Sequence, residues 1–201
     1  PYSASKSSSE LIIRASRESF FRDKRTCGLP SARAVNCIGG GDWSANILIP
    51  DGIRSLFIGK SIYLRNPKFN RLWQLVLEPI RGYLILAKKQ LNQPKKYSDA
   101  WNFGTKNNSV KSVKEIIDYM ITFWGSGKIR YNKKVKFYEQ KNLQLDIKKA
   151  KKKLNWYPTY SVKKGVQITT EWYKNVFKEK KDPYKVTNNQ ILGYMNENKW
   201  G

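Results

Sequence analysis

The chain has 201 residues, which is enough for one ordinary domain and too few for two of typical size. Hydrophobic residues make up 40% of it and aromatic residues 13%, which excludes wholesale disorder. It has no histidine, the commonest general base and metal ligand, and Cys27 and Cys37 lack a metal-binding spacing. Any chemistry must therefore use tyrosine, lysine, carboxylates or a bound cofactor.

Charge is the most pronounced bulk property, with 39 basic against 15 acidic residues and a net charge of +24. Such a charge is typical of proteins that bind nucleic acid or anionic membranes, and it would also attract a nucleotide diphosphate. The densest run of lysines, at 148–153, lies on a predicted helix on which Ile147, Ala150 and Leu154 form an apolar side. Its lysines can therefore point to water. We expect no nucleic-acid partner, and a basic nucleic-acid-binding module stays an alternative.

The cellular location is predicted from two sequence patterns, a membrane-spanning run and a signal peptide. The chain has no run of about 18 apolar residues and no charged-then-apolar pattern at its start. We therefore expect a cytoplasmic protein with no membrane partner.

The first part of the chain mixes helical and strand patterns. Apolar or small residues recur at helical spacing over 5–21, whereas 31–38 alternates as a strand does. A glycine loop follows at 39–42, where the backbone can approach another group closely. Pro50 begins a predicted helix over 50–58, and a short strand at 61–64 ends in a turn.

Helical patterns dominate the second part of the chain. They are predicted over 76–91, 112–124, 147–154 and 162–177, with strands at 101–103 and an extended stretch over 129–145. Ser112 and Glu115 have the spacing of a capping box at the start of the second of these helices. After Lys178 the sequence is polar, so we expect a tail that buries little. The mixture of elements predicts an α/β protein.

The chain lacks the usual opening of a dinucleotide-binding domain. Such a domain begins with a strand and a Gly-x-Gly-x-x-Gly loop, and the consecutive glycines at 39–41 have the wrong spacing. This absence indicates the back half of an α/β enzyme.

Tyr2 and Lys6 are the first candidates for chemistry. On a helix these two side chains share a face, one turn apart. A neighbouring ammonium stabilises a phenolate, which allows a tyrosine to accept or donate a proton. The spacing is weak evidence alone, because two unrelated surface residues would show it equally well.

Several ordered motifs resemble one enzyme family. Pro-Tyr-Ser-Ala-Ser-Lys at 1–6 resembles the active-site segment of the extended short-chain dehydrogenases. Gly-Gly-Gly-Asp-Trp at 39–43 is similar to the CDP-glucose 4,6-dehydratases within that group, as are Leu-Arg-Asn-Pro at 64–67 and Arg-x-Trp-Gln-x-Val-Leu-Glu-Pro at 71–79. Further matches follow in order at 101–104, 145–146, 154–158 and 171–173. The resemblance covers residues 1–178.

The resemblance implies a fold and a domain organisation. We expect the C-terminal part of a Rossmann-type extended short-chain dehydrogenase together with its smaller mixed α/β substrate-binding lobe. Residues 1–40 would end the dinucleotide-binding domain. Residues 41–178 would form mainly the substrate lobe, interleaved with a late Rossmann strand and helix, and 179–201 the polar tail. The full-length family also implies a homodimer.

The resemblance also implies a reaction. NAD oxidises the sugar of CDP-glucose at C4, water leaves across C5 and C6, and the hydride returns to C6, giving CDP-4-keto-6-deoxyglucose. Tyr2 would remove the proton of the 4-hydroxyl, and Lys6 would assist it and hold the nicotinamide ribose. A sugar-nucleotide epimerase or a dTDP-sugar dehydratase is the enzymatic alternative, and a non-catalytic substrate-binding remnant is another.

The substrate residues implied by the resemblance are Asn36, Asn46, Leu48, Pro50, Arg71 and Glu139. Arg71 would pair with the diphosphate, because a guanidinium can donate two parallel hydrogen bonds to anionic oxygens. The alternative is that Arg71 is a surface residue without a binding role. Asn36 would contact phosphate or sugar, or else cap its own loop. Glu139 would belong to the family's substrate-binding stretch, or else lie exposed in solvent. The tryptophans at 43, 73, 101 and 156 are expected to pack rather than to stack on a base.

The sequence also differs from the family pattern at several positions. Val35 stands in place of a glycine, and Leu72 and Leu75 in place of proline and histidine. The stretch 138–142 lacks the family's histidines, and the Gly-rich loop, the active-site serine or threonine and the acid pair for dehydration are not in these residues. We therefore expect weak NAD binding or none, and no turnover by these residues alone.

Overall fold

The computed structural model describes residues 1–22, 27–105, 109–131 and 145–198. They form two compact units, each built from three segments of the chain. The first unit comprises Pro1–Ala34, Pro79–Gly104 and Leu145–Tyr157, and the second comprises Val35–Glu78, Thr105–Gln144 and Pro158–Gly201. In the described part of the chain no helix has the length and apolar character needed to span a bilayer.

The first unit combines helices with a two-stranded parallel sheet. Its helices are α1 (Tyr2–Ser16, continued by a π-helical turn at Arg17–Phe21), α3 (Leu77–Asn92, whose first two residues belong to the second unit), α4 (Pro94–Tyr97) and α6 (Lys148–Leu154). Its strands are β1 (Ser31–Ala34) and β5 (Ala100–Phe103), which pair from Ser31 with Ala100 to Ala34 with Phe103. The predicted helices over 5–21, 76–91 and 147–154 are therefore confirmed in type and near their bounds.

Aromatic side chains hold the core of the first unit together. Trp101, Phe103 and Trp156 are fully buried, and Phe103 meets Trp156 edge to face with ring centres 5.1 Å apart. Ala150 and Leu154 of α6 are buried in the same cluster, while Lys152 and Lys153 are exposed. Lys152 and Lys153 are thus on a solvated face of an amphipathic helix, as the sequence predicts, whereas Lys149 lies over the Trp101 ring and pairs with Asp99. By contrast, α1 has no buried side chain within the described chain.

The second unit contains two small sheets. The strands β2 (Asn36–Ile38), β4 (Asn70–Leu75) and β6 (Val110–Ser112) form one, in which β2 and β4 are parallel and β4 and β6 antiparallel. The strands β3 (Ile62–Leu64) and β7 (Ile129–Tyr131) form the other, a parallel pair. Its helices are α2 (Leu48–Phe57), α5 (Val113–Trp124), α7 (Val162–Tyr173, continued by a π-helical turn at Lys174–Lys178) and α8 (Pro183–Glu197).

Helix α5 shows how the sequence sets local structure in this unit. The Ser112 hydroxyl accepts from the Glu115 amide and the Glu115 carboxylate accepts from the Ser112 amide, so the predicted capping box is confirmed. Gly125 ends the helix with φ of 99°, a conformation that glycine adopts without steric cost. Ile116, Ile117, Met120 and Trp124 of α5 are buried in the core of the unit, together with residues of α2 and α7.

The structure differs from the sequence predictions at several places, and β4, β6 and α4 lie where no element was predicted. The single strand expected over 31–38 is two strands, because Ala34 pairs with Phe103 in the first unit whereas Asn36 pairs with Trp73 in the second. The tail after residue 178, expected to bury little, contains α8, which begins at the Asp182 cap.

Candidate functional site

The second unit contains an open cleft of about 910 Å³. One wall comes from β2 and the loop that follows it, another from α2, and a third from β3, the loop after it and the first half of β4. The lining residues are Asn36, Cys37, Asp42, Ser44, Asn46, Ile47, Leu48, Asp51, Gly52, Ser55, Ile62, Tyr63, Leu64, Arg65, Asn66, Phe69, Arg71, Trp73 and Val113. Polar and apolar groups thus share the walls, which is the usual mixture of a small-molecule site.

The structure brings four of the six predicted substrate residues to this cleft. Asn36, Asn46, Leu48 and Arg71 line it, although they come from three separate segments of the sequence. Pro50 is buried in the first turn of α2 and is not among the described lining residues. Glu139 lies outside the described residues. The binding roles of all six stay predictions.

Arg71 is the predicted residue whose chemistry is best suited to a diphosphate. It is half-buried near the start of β4, its Nη1 donates to the Asn70 carbonyl at 3.0 Å, and its guanidinium lies 5.8 Å from the centre of the Phe69 ring. A guanidinium held against an aromatic face and a carbonyl loses less rotamer freedom on binding an anion. The side chain is therefore oriented at the wall of the cleft.

The loop from Gly39 to Ile47 forms the opposite wall. Ser44 donates its amide to the Asp42 carboxylate at 2.9 Å, and hydrogen bonds from Ser44 hold the pKa of Asp42 below its usual range. Asn46 has φ of +62°, a left-handed conformation that asparagine tolerates better than most residues. These features turn the side chains at 42, 44 and 46 to the cleft.

The glycines of this loop have a packing role that the sequence did not predict. A Cβ at Gly40 would lie 2.2 Å from the Trp172 ring, and one at Gly39 would lie 2.8 Å from a methyl group of Val76. Among the described residues, the three glycines at 39–41 do not line the cleft. We therefore infer that Gly40 lets the loop approach Trp172 of α7 and that Gly39 lets it approach Val76.

Sequence reasoning missed several lining residues. Arg65 lies in a segment that was predicted as a turn, and Tyr63 is an outward residue of β3 with 66% exposure. Trp73 was expected to pack, and it is buried to 8% exposure as well as lining the cleft. Cys37 also lines it, where burial raises the pKa of the thiol. The alternation within β3 was the available signal for Tyr63, since its neighbours Ile62 and Leu64 are buried.

Tyr2 and Lys6 lie on the first two turns of α1, in the first unit. The Lys6 ammonium is 5.6 Å from the centre of the Tyr2 ring, so the predicted proximity of the two side chains is present. Tyr2 is 75% exposed. Both side chains are accessible on one helix face, which is compatible with the predicted contact to the nicotinamide end of NAD, and the role itself stays a prediction.

Within the described ranges, the structure has no group of three His, Cys, Asp or Glu side chains that could hold a metal ion.

Comparison with known proteins identifies relatives of the chain. No family model matches it. A CDP-glucose 4,6-dehydratase of Salmonella typhimurium is 38% identical over 179 residues, which cover 87% of this chain and 50% of the relative. Over these residues the chain is similar to CDP-glucose 4,6-dehydratase. A dTDP-glucose 4,6-dehydratase of Escherichia coli is 27% identical over 188 residues, covering 87% of the chain and 48% of that enzyme.

Solved structures of sugar-nucleotide dehydratases and epimerases share the fold of this chain. A dTDP-glucose 4,6-dehydratase from Streptomyces venezuelae with NAD bound matches with a TM-score of 0.71 at 21% identity, covering 87% of this chain and 51% of that one. A UDP-glucuronic acid 4-epimerase from Bacillus cereus with UDP-glucuronic acid and NAD matches with a TM-score of 0.72 at 21% identity, covering 88% and 53%. The predicted fold class, the C-terminal part of a Rossmann-type extended short-chain dehydrogenase, is confirmed.

The chain spans about half the length of the curated relatives that it matches. The resemblance found in the sequence motifs is thus confirmed over that half, and NAD is the cofactor present in several of the structural relatives.

Proposed function

We propose that the chain supplies the substrate-binding lobe and the tyrosine–lysine pair of an NAD-dependent nucleotide-sugar 4,6-dehydratase that converts CDP-glucose to CDP-4-keto-6-deoxyglucose. One observation carries the proposal. The residues Asn36, Asn46, Leu48 and Arg71, chosen from dehydratase-like motifs, line a single cleft of about 910 Å³. Pockets for small ligands have volumes of about 300–1,000 Å³, so the cleft has room for a nucleotide sugar.

Two arginines of the cleft support a diphosphate as part of the ligand. Arg65 and Arg71 both line it, and two guanidinium groups can neutralise the two negative charges of a pyrophosphate. The two carboxylates that also line the cleft already have partners, since Asp51 pairs with Arg54 and Asp42 accepts from the Ser44 amide. Asn36 and Asn46 offer amides that can donate to hydroxyl or phosphate oxygens. The net charge of +24 adds a field that attracts an anionic ligand.

The aromatic side chains of the cleft support a base or a sugar face. Tyr63, Phe69 and Trp73 are lining residues on β3, the following loop and β4. Flat apolar rings provide contact area at a small cost in side-chain entropy. Such rings beside two arginines match a ligand that has a ring at one end and phosphates in the middle.

The chemical step rests on Tyr2 and Lys6. We propose that the Tyr2 phenolate oxygen accepts the proton of the sugar 4-hydroxyl, and that the Lys6 ammonium stabilises the negative charge on that oxygen and donates to the nicotinamide ribose. NAD, when bound, supplies the hydride acceptor and donor. The 201 residues contain no Gly-rich phosphate loop, so turnover by these residues alone is not expected.

Two further expectations belong to this proposal. The full-length enzyme would be a cytoplasmic homodimer. Residues 1–40 would end the NAD domain, 41–178 would form mainly the substrate lobe, interleaved with a late Rossmann strand and helix, and 179–201 would form the C-terminal segment. The second candidate, a dTDP-sugar dehydratase or a sugar-nucleotide epimerase, is favoured by the similarity to a dTDP-glucose 4,6-dehydratase and to epimerase structures.

Calorimetric titration of the 201-residue protein with CDP-glucose, dTDP-glucose and UDP-glucose tests the assignment. We expect CDP-glucose to bind with the lowest Kd of the three. Tightest binding of dTDP-glucose or UDP-glucose would instead support the second candidate. Filter binding to duplex DNA at two salt concentrations tests the nucleic-acid alternative, which predicts tight and steeply salt-dependent retention.

A further inference from the structure

Three consecutive carbonyl groups of the cleft loop each accept a hydrogen bond from a side chain of a helix. The Tyr173 hydroxyl donates to the Asp42 carbonyl at 2.6 Å. Arg54 donates from Nη1 to the Trp43 carbonyl at 3.0 Å and from Nη2 to the Ser44 carbonyl at 3.1 Å. The loop is therefore held by two helices, α7 and α2.

The donor on α7 is fixed by its surroundings. Tyr173 has 0% exposure, and its ring meets those of Trp43 and Trp172 edge to face, with centres 5.3 and 5.1 Å apart. Trp172 in turn donates its indole N–H to the Thr187 hydroxyl of α8 at 2.8 Å. Burial raises the pKa of Tyr173 to about 12, so its hydroxyl keeps its proton and stays a donor at neutral pH.

The donor on α2 is also oriented. Arg54 forms an ion pair with Asp51, one turn earlier on the same helix, and Asp51 itself lines the cleft. This ion pair leaves the planar guanidinium directed at the two loop carbonyls, a geometry that lysine, with a single ammonium, does not reproduce.

The hydrogen bonds have a consequence for the wall of the cleft. Two of the three residues whose carbonyls are held, Asp42 and Ser44, line the cleft, and the lining residue Asn46 follows two positions after Ser44. Gly40 brings the loop close to Trp172, and Gly41 turns the chain with φ of +85°. Neither Tyr173 nor Trp172 is among the described lining residues, so any influence on a ligand acts through the loop.

We propose that Tyr173 and Arg54 are positioning residues that hold the loop 42–46 in the shape that binds the nucleotide sugar. The inference rests on the proposed function, because it assigns these residues to the same cleft.

Two substitutions test the proposal with CDP as the probe, titrated calorimetrically into the 201-residue protein. Tyr173→Phe removes one hydroxyl without changing the ring, and we expect the Kd for CDP to rise about fivefold. Arg54→Lys replaces the guanidinium, which donates to two carbonyls, by a single ammonium, and it should raise the Kd for CDP by a similar factor. In each variant, hydrogen exchange of the amides at 42–46 should become faster than in the wild type.

Tyr194→Phe is the matched control. It also removes one hydroxyl from a buried tyrosine of the second unit, but that hydroxyl donates to Glu78 and not to the loop. We expect this variant to lower the melting temperature while leaving the Kd for CDP within about twofold of the wild type and the exchange at 42–46 unchanged.

The outcomes separate the two proposals. If the wild type binds CDP and Tyr173→Phe and Arg54→Lys bind it equally well, the positioning role is overturned and the proposed function stands. If the control Tyr194→Phe weakens CDP binding as much as Tyr173→Phe and Arg54→Lys do, the effect is general destabilisation, and the positioning role is again overturned. If the wild type binds no nucleoside diphosphate, the proposed function fails, while faster exchange confined to 42–46 would still show that the two residues hold the loop.

Discussion

The Tyr194 hydroxyl donates a hydrogen bond of 2.9 Å to the Glu78 carboxylate, across 116 positions of sequence. The other carboxylate oxygen of Glu78 accepts from the amides of Thr159 and Tyr160 at 3.0 and 2.7 Å. Glu78 is 1% exposed, so these bonds form in a buried environment. One carboxylate thus connects the first residues of α3, the segment before α7 and helix α8.

Removal of the Tyr194 hydroxyl is expected to destabilise the second unit. Tyr194→Phe leaves one oxygen of a buried carboxylate without this donor, and we expect the free energy of unfolding to fall by about 1–3 kcal/mol. Urea unfolding measures the change. Tyr184→Phe, at a tyrosine with 77% exposure on the same helix, should leave the unfolding midpoint unchanged. Equal midpoints for the two variants would contradict the structural role of the Glu78–Tyr194 bond.

Two glycines should respond to alanine in opposite directions. Gly40→Ala places a Cβ 2.2 Å from the Trp172 ring, so the loop or the tryptophan must move, and we expect a loss of about 1–3 kcal/mol. A Cβ at Gly193 in α8 would meet no described atom within 4 Å, and Gly193→Ala should raise stability by about 0.5–1 kcal/mol through helix propensity. Thermal or urea unfolding compares the two. A neutral Gly40→Ala would show that the loop does not pack on Trp172.

The start of α5 should lose stability in acid. Hydrogen bonds from Lys111 and Ser112 lower the pKa of Glu115 from 4.5 to about 2. Because this pKa is lower in the folded than in the unfolded chain, the stabilisation is complete above 4.5 and is lost as the pH falls through about 2. The Glu115 side chain is 42% exposed, so the contribution is small, about 0.5 kcal/mol.

Comparison with Glu115→Gln isolates this contribution from the other carboxylates. The wild type should be more stable than the variant at about pH 6, and the difference should vanish near pH 2. Urea midpoints at both values provide the measurement. A difference that stays constant between the two pH values would contradict the assigned cause.

NAD should bind the 201-residue protein weakly or not at all. Tyr2 and Lys6 are proposed to contact the nicotinamide end of the cofactor, but the sequence contains no Gly-rich loop for its pyrophosphate. Calorimetric titration with NAD measures the affinity. A Kd in the micromolar range would contradict the expectation and would require a pyrophosphate site elsewhere in these residues.

The sequence predicts elements whose signals are local. Helix α5 was predictable because Ser112, Glu115 and Gly125 mark its ends and its apolar residues recur at helical spacing. Strand β4 was not predictable, since its residues 72–75 are all buried, so no alternation separates it from the apolar start of α3. Helix α8 was missed because Val186 and Tyr194 are its only buried side chains among the described residues.

The same limit applies to the candidate site. Arg71 and Asn36 could be selected from motifs that resemble the dehydratases, and the structure places both at the cleft. Tyr173 and Arg54 could not be selected as supports of the loop. Their partners are backbone carbonyls 131 and 11 positions away, and no residue pattern records which carbonyl a distant side chain reaches.

Binding of CDP-glucose by the wild type, Arg71→Gln and Lys68→Gln is the measurement that tests the proposed cleft most directly. Arg71 lines the cleft, whereas Lys68 is an exposed cation three positions earlier that does not line it among the described residues. We predict one saturable site, with a Kd that rises about tenfold in Arg71→Gln and stays near the wild-type value in Lys68→Gln. Equal Kd values for all three proteins, or no saturable binding by the wild type, would contradict the assignment of this cleft to a nucleotide sugar.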